Sequence, residues 1–241
     1  MNIQKRWFAD LSPEEIEGVR RKHEIVVVVD LWAATTNIVL MLGKKPKKLI
    51  LINDKKYAKA NKVYSDAILI GQSKSIPEKK FASASNKSAD VDQVDIFGKV
   101  VLYISFNGAK ILEIFADGEK GWVFAGSLTN YRELVSYLRA RNVNKVNIIA
   151  AGDLIDELGG VKPMEDWLGA EIFEKVILGE KIDFESEVQD IKKQMLSQPG
   201  YDLTDAQSKI WPYIFGAQAD ILPTAFINRE GFVEVLRLRS G

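Results

Sequence analysis

Six runs of strand length in this chain are apolar almost throughout: IVVVVD at 25–30, KLILI at 48–52, AILIG at 67–71, KVVLYIS at 99–105, GWVFAG at 121–126 and VNIIAAG at 146–152. A strand with one wet face alternates polar and apolar residues; these runs do not, so they read as strands covered on both faces, the pattern of a parallel sheet with crossover helices. Helix-like stretches separate most of them. TNYRELVSYLRARN (129–142) sets Leu134, Val135 and Leu138 on one face and charge opposite. PMEDWLGAEIFEKVIL (163–178) reads as a second helix, with Pro163 suited to the first turn and Glu165 and Asp166 near the positive end of the dipole. Short strand signals flank Gly231. The expectation is an α/β fold over 1–241 as a single domain: a mostly parallel sheet, helices on both faces and short C-terminal strands.

One segment fits neither pattern. GQSKSIPEKKFASASNKSADVDQ (71–93) is rich in serine and lysine, directly follows a strand and is too long for a bare connection. It reads either as a mobile surface loop or as a lid at the carboxyl end of the sheet, where open α/β folds bind their ligands.

Composition removes whole classes of chemistry. With no cysteine, disulfides, thiolate metal sites and cysteine nucleophiles are excluded. The single histidine, His23, lies in the charged connector RRKHE, so Ser-His-Asp triads and multi-histidine metal sites are largely excluded as well. Hydrolytic chemistry would have to use carboxylates, hydroxyls, amines or an oxygen-ligated metal. Acidic and basic residues balance at 33 each, which argues against a nucleic-acid partner. No stretch of 18 apolar residues and no apolar leader stands in the sequence, so no membrane partner and a soluble, cytoplasmic protein are expected.

The first strand ends in Asp30, and Thr35 and Thr36 open the next segment. A carboxylate there is costly unless paired or coordinated. It could cap the next helix, or it could bind magnesium, which takes one or two carboxylates together with phosphate oxygens and water. The threonines could pack and cap, or begin a phosphate-binding helix N-terminus. Trp32 stands where a haloacid-dehalogenase phosphatase needs a second aspartate, and GKKPKK (43–48) lacks the spacing of a phosphate-binding glycine loop. SFNGAK (105–110), AGSLTN (125–130, with Asn130) and AAGD (150–153, followed by Glu165 and Asp166) are three further polar strand ends. Asn-Gly would suit a hairpin, but AKILEIF after it looks helical. Each junction has an ordinary capping explanation; gathered on one edge, the four would make a site.

Taken in order, VVVVDLWAATTNIV, ISFNGAKIL, AGSLTN, NIIAAG, MEDWLGAEIF and ADILPTAF resemble the 2-phosphosulfolactate phosphatases over roughly residues 24–236. That family's first motif reads Asp-Val-Leu-Arg-Ala-Thr-Thr. Gly-Glu-Arg, Gly-Asn-Ser-Pro, Thr-Asn-Gly-Thr and a Glu-Asp helix follow. Asp30, Ala34, Thr35 and Thr36 match the first motif, Asn86 the third, Asn107 and Gly108 the fourth, Gly126, Ser127 and Asn130 the next strand end, and Glu165 with Asp166 the last. Ala33 stands in place of arginine, Gln72-Ser73 in place of Glu-Arg, and Phe106 and Ala109 in place of the threonines around Asn-Gly.

The resemblance implies magnesium-dependent hydrolysis of 2-phospho-3-sulfolactate to 3-sulfolactate and phosphate, in coenzyme M biosynthesis. It implies Mg²⁺ on Asp30 and Asp166, with Asp30, Glu165 and Asp166 catalytic. A small phosphorylated acid would lie against Thr35, Thr36, Asn86, Asn107, Gly108, Ser127 and Asn130. Whether Asp30 binds the metal or attacks phosphorus stays open, as does a homo-oligomeric state. Losing two guanidiniums removes the groups best shaped for a bidentate hold on phosphate or sulfonate, and Lys74, Lys79, Lys80 and Lys87 would replace them only as flexible point charges. A small-anion binding protein that has lost the chemistry is therefore the rival reading.

Overall fold

Each of the six apolar runs forms a strand in the computed structural model, which describes residues 1–83, 85–152, 163–197 and 209–238. They are β2 (Ile25–Val29), β3 (Lys48–Ile52), β4 (Ile68–Gly71), β5 (Val100–Ile104), β6 (Val123–Gly126) and β7 (Lys145–Ala150). Three more strands join them: β1 (Asn2–Trp7), β8 (Leu222–Ile227) and β9 (Val233–Leu238). One nine-stranded sheet results, in the order β1-β7-β2-β6-β8-β9-β3-β5-β4.

The β8–β9 hairpin lies in the middle of the sheet and pairs antiparallel with β6 on one side and β3 on the other. Because the antiparallel steps between them are odd in number, the group β1, β7, β2, β6 runs opposite to the group β3, β5, β4. In a flat sheet their carboxyl ends would lie on opposite edges. The five strand-to-strand steps from β2 to β5 accumulate roughly 100–125° of twist, which lets those ends approach.

Every residue of β2 is buried, as a strand covered on both faces requires. On one face lies α7 (Met164–Leu178), so close at Gly169 that a Cβ there would sit 3.2 Å from Val29 Cγ1. On the other lie α2 (Ala34–Gly43), packed on β6 and β8, and α5 (Gly108–Phe115), packed on β2, β3 and β6. Burying valines of this kind stabilises the sheet by roughly 1.5–3 kcal/mol per side chain.

Some expectations shift. The helix expected over 129–142 is α6 (Tyr131–Ala140), with Asn130 at its N-cap. Pro163 takes the N-cap of α7 in extended conformation instead of a first-turn position. The segment 71–93 is folded against the sheet edge: Ser83 bridges Ile70, α4 spans Ser88–Asp92, and Ile76 and Val91 are buried. Asp153 lies outside the described residues. Among the described residues, no helix is long and apolar enough to cross a membrane.

Candidate active site

Four strand ends converge at the carboxyl edge of β2. Asp30 is 3% exposed; its Oδ1 accepts from the backbone N–H of Ala34 at 3.1 Å and its Oδ2 from that of Gly108 at 2.7 Å. Those are the first N–H groups of α2 and α5, so one carboxylate caps two helices and sits at the positive end of both dipoles. The approach is too close for a side chain at position 108, where a Cβ would fall 2.7 Å from Asp30 Oδ2, 2.8 Å from its Cβ and 3.0 Å from Ala34 Cβ. SFNGAK is thus a strand-to-helix junction and not a hairpin.

Asp166, in the first turn of α7, reaches the same edge from the opposite face. Its Oδ1 accepts from Leu31 N–H (2.8 Å) and its Oδ2 from Gly152 N–H (3.1 Å), tying α7 to the ends of β2 and β7. Glu165 beside it is buried as well. Burial raises the pKa of Asp30 against the two N–H bonds that lower it. Burial also raises Asp166, and further, because the charges of Asp30 and Glu165 add to it. A like charge disfavours the ionised form of a buried carboxylate, and a proton or a cation relieves it.

Thr35 and Thr36 are buried, and their hydroxyls turn back to the strand end: Thr35 Oγ1 donates to the carbonyl of Asp30 (2.7 Å), Thr36 Oγ1 to that of Leu31 (3.0 Å). Thr36 Oγ1 also lies 3.2 Å from Ser127 Oγ, which joins α2 to the end of β6. Asn130 fixes that end, accepting from Ser127 N–H and donating to the carbonyls of Ala125 and Ile221. Asn107 is half-buried at the N-cap of α5.

Asn86 joins through Asn37, a residue that no sequence motif singled out. Asn37 Nδ2 donates to the carbonyl of Asn86 (2.7 Å) and to the hydroxyl of Tyr103 (3.3 Å), a group whose pKa burial pushes far up. Asn86 Nδ2 in turn lies 3.4 Å from Gln72 Oε1. The side-chain carbonyl oxygens of Asn37 and Asn86 are buried without a hydrogen-bond partner. A lone asparagine inside the apolar stretch ATTNIVLML was the available signal. Of the loop lysines, Lys74 lines a cavity at the ends of β4 and β5, whereas Lys79 and Lys80 are exposed on the adjoining turn. The Trp32–Ala33 peptide, at the departure from the arginine motif, is cis.

The donor set suits a small hard cation. Among the described residues no three acidic or imidazole groups are arranged to hold a metal ion, so the protein would offer at most the carboxylates of Asp30 and Asp166. Each of their oxygens keeps a lone pair beyond its N–H bond. That is the magnesium regime, in which substrate oxygens and water complete the shell.

A family model described as 2-phosphosulpholactate phosphatase matches residues 10–209. A probable 2-phosphosulfolactate phosphatase of Caldicellulosiruptor saccharolyticus is 24% identical over 135 residues, covering 54% of this chain and 55% of the relative. One of Thermoplasma acidophilum is 27% identical over 161 residues, covering 66% and 68%. The matched region thus spans about half the length of the first relative and two thirds of the second. With most of its length matched by that model, the chain belongs to the 2-phosphosulpholactate phosphatase family.

Proposed function

We propose that the protein hydrolyses the phosphate ester of a small acid, on the pattern of 2-phosphosulfolactate giving 3-sulfolactate and phosphate, with magnesium required. The observation that carries this reading is the carboxylate pair Asp30 and Asp166, buried where the ends of β2, β5 and β7 meet. Asp30 and Asp166 would hold the metal, which when bound offsets charge on the phosphoryl oxygens and acidifies water. The N-termini of α2 and α5 turn their dipoles toward an anion at this edge. Asn107 and Asn86 would orient the organic part, while Asn130 and Ser127 hold the strand end beside them. In the reaction, water adds to phosphorus, the ester P–O bond breaks, and the proton passes to the leaving alkoxide. The same reading carries coenzyme M biosynthesis as its context.

Phosphate release from 2-phospho-3-sulfolactate, with magnesium and with EDTA, tests it in wild type and Asp30→Asn. Asparagine keeps the shape but leaves one acceptor oxygen for the two N–H groups that meet Asp30, so thermal unfolding is read beside turnover, which should be lost; activity equal to wild type would remove the role assigned to Asp30. A second reading, a non-catalytic small-anion binding protein, draws support from Ala33, Gln72 and Ser73. It requires tight phosphate or sulfolactate binding with no release of phosphate by the wild type.

A further inference from the structure

Gln72, Ser73, Lys74, Glu78, Phe81 and Phe106 line a cavity of about 240 Å³ at the carboxyl ends of β4 and β5. Phe106 directly precedes the Asn107–Gly108 junction that meets Asp30, and Gln72 contacts Asn86, so the cavity adjoins the proposed reaction site. Its charge is balanced, with one lysine and one glutamate, and Phe81 and Phe106 are only half-buried. The Ser73 hydroxyl is engaged with the backbone N–H groups of Ser75 and Ile76. Three of the positions that depart from the family pattern, Gln72, Ser73 and Phe106, thus fall in the lining of one cavity.

From this lining we infer that the cavity receives the tail of the substrate, and that the tail it prefers is uncharged and partly apolar, such as an aryl or alkyl group, in place of a sulfonate. The inference rests on the phosphatase reading for the word substrate, but not for the chemistry of the cavity. A sulfonate entering here would meet Lys74 with Glu78 in the same lining and two phenyl rings beside them, so its charge is only partly met, and desolvating an incompletely paired anion is costly. An aryl group would cover the exposed faces of Phe81 and Phe106, and aromatic pairs gain beyond the area they bury. With liquid water occupying about 30 Å³ per molecule, the cavity has room for roughly eight water-sized groups, enough for a phenyl ring.

Three esters on one framework test this: 2-phospho-3-sulfolactate, 2-phospholactate and 2-phospho-3-phenyllactate, whose third carbon carries sulfonate, hydrogen or phenyl. With magnesium present, kcat/KM for the phenyl ester should exceed that for the sulfonate ester by roughly tenfold or more. In Phe106→Thr the preference should shrink, and in Ser73→Arg with Phe106→Thr it should reverse. Wild type turning over the sulfonate ester as well as the phenyl ester would overturn the inference. Calorimetric binding of phenyllactate and sulfolactate to wild type and Phe106→Thr runs in parallel, with thermal unfolding as the control for folding. If no ester releases phosphate, the phosphatase reading fails and the binding comparison decides the cavity alone. Tighter phenyllactate binding that weakens in Phe106→Thr upholds the inference; equal binding of the two acids, or tighter sulfolactate binding, ends it.

Discussion

Replacing Gly108 by alanine puts the convergence of β2 and β5 to a direct test, because the sign of the effect depends on it. Alanine at a helical position ordinarily gains stability over glycine, by about 0.5–1 kcal/mol. Here the added methyl would lie 2.7 Å and 2.8 Å from the Asp30 side chain and 3.0 Å from Ala34 Cβ, where ordinary contacts begin near 3.5 Å. Relief requires α5 to move, and the 2.7 Å bond from Gly108 N–H to the carboxylate moves with it. Overpacking of this kind costs about 1–3 kcal/mol, and weakening a buried bond to a charged acceptor about 1.5–3 kcal/mol. Together they come to about 2.5–6 kcal/mol, or roughly 5–24 °C in Tm for a chain of this size. Gly18, inside α1 (Pro13–Arg21), has nothing within 4 Å of its Cβ position and serves as the contrast. Scanning calorimetry should find Gly18→Ala slightly above wild type and Gly108→Ala well below it. If Gly108→Ala melts within about 2 °C of wild type, Asp30 does not clamp the two helices.

Three other perturbations bear on the site and its frame. Magnesium at a hundred times its Kd should stabilise the wild type by about 2.7 kcal/mol; an equal rise in Tm for Asp166→Asn would place the cation elsewhere. Asn130→Ala strips partners from Ser127 N–H and from two buried carbonyls, and urea unfolding should register a loss of about 3 kcal/mol or more, with Ser127→Ala costing less. Burial works to raise the pKa of Asp117, but bonds from Glu119 N–H, the Trp122 ring and His23 overcome it and hold the carboxyl below the usual 3.8. Its stabilisation is therefore present above that value and lost as pH falls through the lowered one. Asp117→Asn should accordingly melt below wild type at pH 7 and converge with it in acid; a Tm gap that stays constant down to pH 3 would contradict that assignment.

The six buried strands were legible because a two-sided strand needs no partner to announce itself. Continuous branched apolar residues carry the signal locally. β1 was not: NIQKRW is a half-exposed edge strand whose pairing with β7 comes from the far side of the sequence. The strand signals around Gly231 were readable, but not their insertion at the centre of the sheet, since register between distant segments leaves no local pattern. Asp30 was legible as a cap, yet only the fold supplies its second helix. Thr35 and Thr36 illustrate the limit, because residue type gives a hydroxyl and only geometry shows it turned to a carbonyl. Asn37 carries no local signal of its contacts, because an amide inside a helix announces no partner until Tyr103 and Asn86 arrive from elsewhere in the chain.

The central hairpin bears on how the chain reaches its native state. β8 and β9 come later in sequence than every strand they join, so until they dock, β6 and β3 are each the open edge of a separate half-sheet, bearing unpaired backbone groups beside apolar side chains. Such edges invite pairing between chains. The closure on the β6 side is slight: one paired register position, Phe124 with Thr224, reinforced by the Thr224 hydroxyl, which donates to the carbonyl of Val123 and accepts from Gly121 N–H. A chain stopped before Leu222 would present two sticky half-sheets. The segment that makes one sheet of them is thus also what keeps one molecule from templating the next.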